Sequence, residues 1–467
     1  VGSLRPDAPE GTRSTWHVVG FLGVLAALQV SAVGINGTAV ANIAGDLGIA
    51  GTSVATASSI SAISAAATAI SAGRVADRVG RRRVLIAGLL FGAFGSVMTT
   101  IAPTQVLYFL AQVLIGVGFG ATFGAAFAYL HAVTGEPRLP GALGLFGATF
   151  GGASLAFLLV GDALPANSGR LGFVILAVVS ILAVALVPLL LPAIPGHAPP
   201  GADWLGQLLL ASGIASLLVG LSHIGLGQSP FVFAAVVLGV AMMLAFYVAE
   251  SRATAAFFPT ALFEKPAFLA ALLAGFIYSF GFAAAVFSAR FLWSTFSADP
   301  TIAEVAWQAP LWLAAIAGAF VTGRRMSAYT AVRGALFFGA MLTAMGLVAL
   351  AAASRESTAL ACVPGLILIG AGTGAVSIPF GYLIIRSAPL AAVGPVTGSR
   401  LAIGEVGYAI ALAMITVVLG RLTIGEGVDH ALTVALGVAA LVVLIAGATA
   451  AHLLRGTDSV ASGSSSA

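Results

Sequence analysis

The chain has 467 residues, of which 60% are hydrophobic and only 8% charged, with a net charge of +4. A soluble domain carries about 25% charged residues, so this composition excludes a water-soluble globular protein. The lone cysteine, Cys362, rules out an intrachain disulfide and a thiolate metal cluster.

Fourteen apolar runs are legible, at 17–44, 52–72, 84–102, 105–131, 141–164, 171–192, 204–225, 230–249, 267–295, 303–322, 334–353, 358–385, 390–418 and 430–454. Each approaches or exceeds the roughly 20 residues that cross a bilayer core as a helix. Segment 1–14 is polar and has no secretory pattern. Alternate loops hold 15 of the 20 cations: Arg5, Arg13, Arg74, Arg78, Arg81, Arg82, Arg83, Arg138, Arg252, Lys265, Arg324, Arg325, Arg333, Arg386 and Arg455. The opposite loops hold only Arg170, Arg355 and Arg421, while Arg290 and Arg400 fall inside spans. This bias predicts fourteen crossings with both termini in the cytoplasm. The positive charge is therefore a topology effect, not a nucleic-acid footprint. Lys265 is the only lysine and Ala is abundant, the usage of a GC-rich bacterial genome, which predicts a bacterial inner (plasma) membrane protein.

Between the second and third runs lies Gly-Arg-Val-Ala-Asp-Arg-Val-Gly-Arg-Arg-Arg, residues 73–83. Gly73 and Gly80 permit a tight turn. Asp77 is the one acid among five arginines. It can pair with Arg78 or Arg81, or sit at the positive N-terminus of a neighbouring helix. A simpler reading makes the segment a positive-inside signal and nothing more.

The order of Gly73, Asp77, Arg78, Gly80, Arg81 and Arg82 after a second span resembles the loop 2–3 signature of the major facilitator superfamily of transporters. The resemblance implies an all-α membrane fold of two six-helix bundles. It also implies that this loop locks helix ends together, with Asp77 engaging a helix of the other half. The fourteen spans resemble the drug–proton antiporter branch, in which two helices are inserted between the bundles. The expected units are then an N-terminal bundle at 1–195, an inserted pair at 196–265 and a C-terminal bundle at 266–467. Pro/Gly-rich 192–201 and segment 253–266 mark the seams. Segment 323–333 is the expected repeat of the hairpin, with Ser327 where Asp77 would be.

Antiporters of this branch usually show an Asp-x-Thr element in the first span, where this chain has Ile35, Asn36, Gly37 and Thr38. They usually carry an Arg in the fourth span, where Gln112 precedes Gly116. Their fifth span has a Gly-Pro pair that here is Ala156 and Phe157. The N-terminal half thus keeps uncharged polar residues: Gln29, Asn36, Asn42 and Gln112. These can bond a ligand or bond across helices. Gly116, Gly120 and Gly124 in the fourth span, and Gly144, Gly147 and Gly151 in the fifth, form small-residue ladders. Such ladders serve tight static packing or a surface on which helices rock.

Charge inside the membrane gathers in the C-terminal half. Glu405 is the acid clearly within a span, about 20 Å from the cytoplasmic end of the thirteenth run at 1.5 Å per residue. Asp162, Glu250 and Glu304 lie near span ends. Arg400 is five residues before Glu405, about 140° away around the helix, so the two do not pair with each other. Glu405 is either structural or, in an apolar site, suited to reversible protonation. Arg400 is either its partner in proton coupling or an anchor to carbonyls. Asn36, Gln112, Gln29, Arg290 and Tyr408 are the candidate cavity residues, with Arg290 also able to snorkel to the interface. His223 reads as a solvated loop residue. Trp16, Trp204, Trp293, Trp307 and Trp312 read as an aromatic belt. No metal cluster, cofactor motif or phosphate-binding loop is visible, and no nucleophile–base pair points to an enzyme.

These readings predict a monomeric secondary transporter that exports small amphipathic or lipophilic molecules by alternating access, with protons as the coupling ion. A lipid or glycolipid cargo is the alternative, as is a non-transporting scaffold or accessory subunit. Reporter fusions at Ala198 and Gly456 are expected to read cytoplasmic. An external signal at Gly456 would make the number of crossings odd and break the repeat.

Overall fold

The computed structural model describes residues 12–164, 169–196, 203–224, 229–253, 256–296, 304–326, 329–354, 359–389 and 392–455. Within them run α1 (Thr12–Leu47), α2 (Thr52–Val79), α3 (Arg81–Ile101), α4 (Gln105–Val133), α5 (Leu139–Ala163), α6 (Leu171–Leu190) and α7 (Trp204–His223). These are followed by α8 (Pro230–Arg252), α9 (Pro266–Phe296), α10 (Glu304–Arg325), α11 (Tyr329–Ala353), α12 (Val363–Ser387), α13 (Val393–Glu426) and α14 (Val428–Leu453). All fourteen are long and apolar enough to span a bilayer. In hydrocarbon each backbone amide must be satisfied within its own segment, which leaves the helix as the solution for such runs. Hydroxyls mid-helix follow the same rule: Ser96, Thr122, Thr343 and Thr373 each donate to a carbonyl three or four residues back.

The protein is a multi-pass bundle of two six-helix halves, α1–α6 and α9–α14, with α7 and α8 as an inserted pair. The halves meet chiefly along two seams, α2 against α13 and α5 against α10. The inserted pair packs on itself and lays α7 against both α2 and α13. Asp203 caps α7 by accepting from the Gly206 amide at 2.9 Å, and Ser229 caps α8 by accepting from Phe231 at 3.1 Å. The helices alternate in direction, so the ends of α2, α10, α12 and α14 lie with the starts of α3, α11 and α13 at one face. That face is the hairpin end.

Three expectations are corrected here. The arginine-rich segment is not a loop flanked by two turn glycines. Residues 73–79 continue α2, and Gly80 alone makes the turn, at φ 98°. A single positive-φ residue suffices because only glycine adopts that geometry without strain. His223 is 5% exposed rather than solvated; it ends α7 and its Nε2 lies 3.1 Å from Thr56 Oγ1 of α2. Trp307 and Trp312 are buried inside the bundle, whereas Trp204 is exposed as a belt residue should be. Ser327, the expected counterpart of Asp77, lies outside the described residues.

The two glycine ladders have different partners. The α4 ladder is internal to its half: a Cβ on Gly116 would lie 2.2 Å from the Ser61 carbonyl of α2, and on Gly120 2.5 Å from that of Ala65. The α5 ladder faces the other half. Gly144, Gly147 and Gly151 meet Gly323, Ala319 and Ile316 of α10. One ladder therefore packs within a half and the other packs the two halves against each other. Gly116→Leu is expected to force α2 from α4 and destabilise the purified protein by about 1–3 kcal/mol, read as a lowered thermal unfolding midpoint. Gly152→Ala, where a Cβ meets nothing within 4 Å, should leave the midpoint unchanged.

Candidate functional site

The seam between the halves holds the polar chemistry. At the hairpin end, α2 and α13 cross at Gly73 and Gly394. A Cβ on Gly73 would lie 2.1 Å from the Gly394 carbonyl oxygen, and a Cβ on Gly394 1.9 Å from that of Gly73. Only two glycines allow this approach, and it brings the start of α13 to Asp77. The Gly394 amide donates to Asp77 Oδ2 at 2.6 Å. Gly394 is the second residue of α13, so its amide is one that no intrahelical carbonyl can satisfy. The carboxylate supplies the missing acceptor and faces the positive end of the helix dipole. Its other oxygen takes Arg81 Nη2 at 3.4 Å, one turn on. Asp77 is only 9% exposed, so both contacts act in a partly dry setting.

The rest of the signature surrounds this contact. Arg81 and Arg82 lie within electrostatic range of the Tyr129 hydroxyl of α4. The chain leaving α6 passes over the turn, with Gly196 against the Arg78 carbonyl and Ile194 against Gly80. Beside it, Gly144 and Gly323 close the α5–α10 seam at the same end.

The far end has its own contact. Asp162, in the last turn of α5, accepts at Oδ2 from the Val305 amide of α10 at 3.1 Å. Val305 is again the second residue of its helix. Each face of the bundle thus sets a carboxylate of the N-terminal half on a helix start of the C-terminal half. Next to Asp162, Leu155 and Leu158 of α5 and Val30 of α1 pack against Val305, Trp312 and Phe282 across the seam. Phe282 and Trp312 meet edge-on at 4.9 Å.

Midway between the faces, Gln29 Nε2 of α1 donates to Glu405 Oε1 of α13 at 3.1 Å. Glu405 is half-buried although it sits mid-span, as are Arg400 and Tyr408 on the same helix. From Val393 to Ser399 the helix is buried throughout. Arg400 turns away from Glu405 into an aromatic box. Its guanidinium carbon is 4.5 Å from the Phe380 ring centroid, 4.8 Å from Phe127 and 6.0 Å from Tyr278. Phe127 belongs to α4, so this box too spans the halves. Arg400 Nη1 also donates to the Ser377 carbonyl at 3.3 Å. Gly381 leaves the room: a Cβ there would lie 3.0 Å from Arg400 Nη1.

The structure brings Gln29 and Glu405 together, keeps Arg400 apart from Glu405, and puts Tyr408 within electrostatic range of both Glu405 and Arg290. Arg290 is exposed. Asn36 and Gln112 are placed in interhelical bonds. Asn36 Nδ2 donates to the Ala57 carbonyl at 2.7 Å, and its oxygen accepts from the Tyr108 hydroxyl. Gln112 Nε2 donates to Thr99 Oγ1 at 3.3 Å. Both are fully buried within their own half. Phe127 and the pairing of Asp162 escaped the sequence reading. Asp162 was visible as a span-end acid, but its partner lies 143 residues away.

This arrangement is that of a membrane transporter fold, two bundles hinged around a polar midline. A profile of the Major Facilitator Superfamily matches residues 20–206. The matched stretch is 187 of the 467 residues, and over it the chain is similar to that superfamily. It is 30% identical over 217 residues to an uncharacterized MFS-type transporter of Mycobacterium tuberculosis, a match covering 45% of this chain and 31% of that relative. It is 29% identical to the puromycin resistance protein of Streptomyces alboniger, over 77% of this chain and 72% of that protein. With the tetracenomycin C resistance and export protein of Streptomyces glaucescens the identity is 26%, over 76% of this chain and 67% of that protein. Among solved structures, the human organic anion transporter MFSD10 superposes with a TM-score of 0.66 at 14% identity, covering 97% of this chain and 100% of that one.

Asp77→Asn and Asp162→Asn test the two end contacts separately. Each removes a charge–dipole interaction worth about 0.3–2 kcal/mol, a factor of about 2 to 30 in a local opening equilibrium. Hydrogen exchange is expected to quicken by that factor at the start of α13 in the first variant and at the start of α10 in the second, not the reverse.

Proposed function

We propose that this protein is a secondary active transporter that moves small amphipathic or lipophilic molecules out of the cell by alternating access, coupled to protons. The observation that carries the reading is the Gln29–Glu405 hydrogen bond, an acid at the middle of a span bonded to the opposite half of the molecule. An intramembrane carboxyl group is expensive to keep and belongs at ion pathways. Glutamine suits both of its protonation states. The amide donates to the carboxylate, and after an amide flip its oxygen accepts from the carboxylic acid. Proton binding therefore changes the charge at the seam without leaving either side chain unsatisfied.

The carboxylates at the two faces supply the rest of the mechanism. Asp77 holds the hairpin end shut, and Asp162 holds α5 on α10 at the far end. Each contact is of the size that biases a two-state equilibrium without freezing it. The α5 glycine ladder gives the sliding surface between them. The charge partition supports a cytoplasmic hairpin end in a bacterial inner membrane. The Phe127–Phe380–Tyr278 box already holds the Arg400 guanidinium, so Glu405 with Tyr408 is the anionic and aromatic surface left for cargo, which suits a lipophilic cation better than a sugar. The drug-resistance and export relatives support this class of cargo.

In proteoliposomes under a pH gradient, the parent protein is expected to move a lipophilic cationic dye. Glu405→Gln keeps the shape but cannot ionise, so gradient-driven movement should fall to the level of empty liposomes while dye exchange at equal pH persists. Glu405→Asp should retain partial transport with an altered pH profile. Full gradient-driven transport by Glu405→Gln would make the acid structural.

A further inference from the structure

At the hairpin end, remote from the seam, a cavity of about 390 Å³ opens between α11 and α14. Its polar wall is Arg333, His452 and Arg455, and among the described residues no acid lines it and none of these three side chains has a hydrogen-bond or ion-pair partner. Arg333 and Phe337 lie one turn apart on α11, while Ala448, His452 and Arg455 share one face of α14. Gly334 and Ala448 leave the space between the helices unfilled; a Cβ on Gly334 would meet nothing within 4 Å.

Helix electrostatics separates a site from ordinary capping. His452 and Arg455 sit at the C-terminus of α14, where a cation is favourable and needs no further reason. Arg333 does not. It stands near the N-terminus of α11, the positive end of that dipole, with no acid in the first turn to offset it. Arg333, the helix start and the facing Arg455, with the His452 ring beside it, together make a concave positive site that calls for an anion.

The surroundings say which anion. Next to the cavity the same membrane-spanning helices present Phe338 at 61% exposure and Leu441 and Ile445 at 58% each. A free anion has no use for that continuous apolar wall, whereas a phospholipid fills both parts. We propose that this cavity binds the headgroup of an anionic phospholipid. Arg333 and Arg455 clamp its phosphodiester, for which the guanidinium fork is suited, and Phe337 flanks the first carbons of its acyl chains. Basic recesses between membrane helices at one face hold such headgroups.

The test is native mass spectrometry of the full-length, delipidated protein titrated with phosphatidylglycerol or phosphatidylcholine. The parent is expected to retain one phosphatidylglycerol in preference to phosphatidylcholine by about thirtyfold, the weight of two arginines at a membrane surface. The double variant Arg333→Gln, Arg455→Gln should lose that preference. Gly334→Leu should lose the same single lipid by filling the cavity without touching charge. The two variants act by different means, so poor folding of one leaves the other decisive. Unchanged retention in a folded variant overturns the proposal. So does displacement of the lipid by millimolar inorganic phosphate, which would assign the site to a soluble anion.

Discussion

The structure depends on a carboxylate that completes a helix it does not belong to. Asp77 ends α2, and the amide it satisfies starts α13, in the other half of the protein. A helix start has donors that its own backbone cannot reach, and in a membrane interior few acceptors are at hand. The contact exists because Gly73 and Gly394 let the two backbones touch just beside it. Take away either glycine and the geometry that delivers the amide is lost; take away the charge and the crossing remains but is no longer held. Asp162 repeats the device on the opposite face with α10. The alternating access proposed for this protein requires each end to close in turn, and a single charge–dipole contact at each end is strong enough to favour closure and weak enough to release.

The midline is organised differently. There the halves are joined by Gln29 with Glu405 and by Phe127 with Arg400, contacts that involve ionisable groups of α13 alone. Helix α13 therefore carries the amide that donates to Asp77 at one end and both midline charges along its length. A change of charge at Glu405 acts on the same rigid element that Asp77 holds. In the proposed mechanism, that shared helix is the route from protonation to opening. The inserted α7 lies across α2 and α13, with His223 bonded to Thr56, so the pair is positioned to ride on this seam.

Much of the architecture was legible because the bilayer reduces the choices. Run length and arginine bias mark fourteen spans, and the helices follow those runs. Asp77, one acid among five arginines, was readable as a residue with a partner, but whether that partner was Arg78, Arg81 or a helix start was open; the structure gives it both Arg81 and the start of α13. What could not be read was which surfaces meet. The ladders of α4 and α5 have nearly the same spacing, yet one faces its own half and the other faces α10. Spacing reports that a helix can approach closely, not what approaches it. Gly73 was read as a turn residue because a helix normally ends before such a run of charges, whereas here α2 continues to Val79. Gln29 and Glu405 were each singled out as polar residues in apolar spans, but their pairing bridges 376 positions and needs the fold.

The claim that Asp77 biases which face is open can be measured as a pair of distances. Spin labels at Val79 and Arg386 report the hairpin end, and labels at Asp46 and Gly420 report the far end. On replacing Asp77 by Asn, pulsed electron paramagnetic resonance is expected to show the first distance lengthening and the second shortening, a shift between two populations. If both distances stay as in the parent, or both lengthen together, the Asp77 contact does not bias the exchange between faces and the account is contradicted.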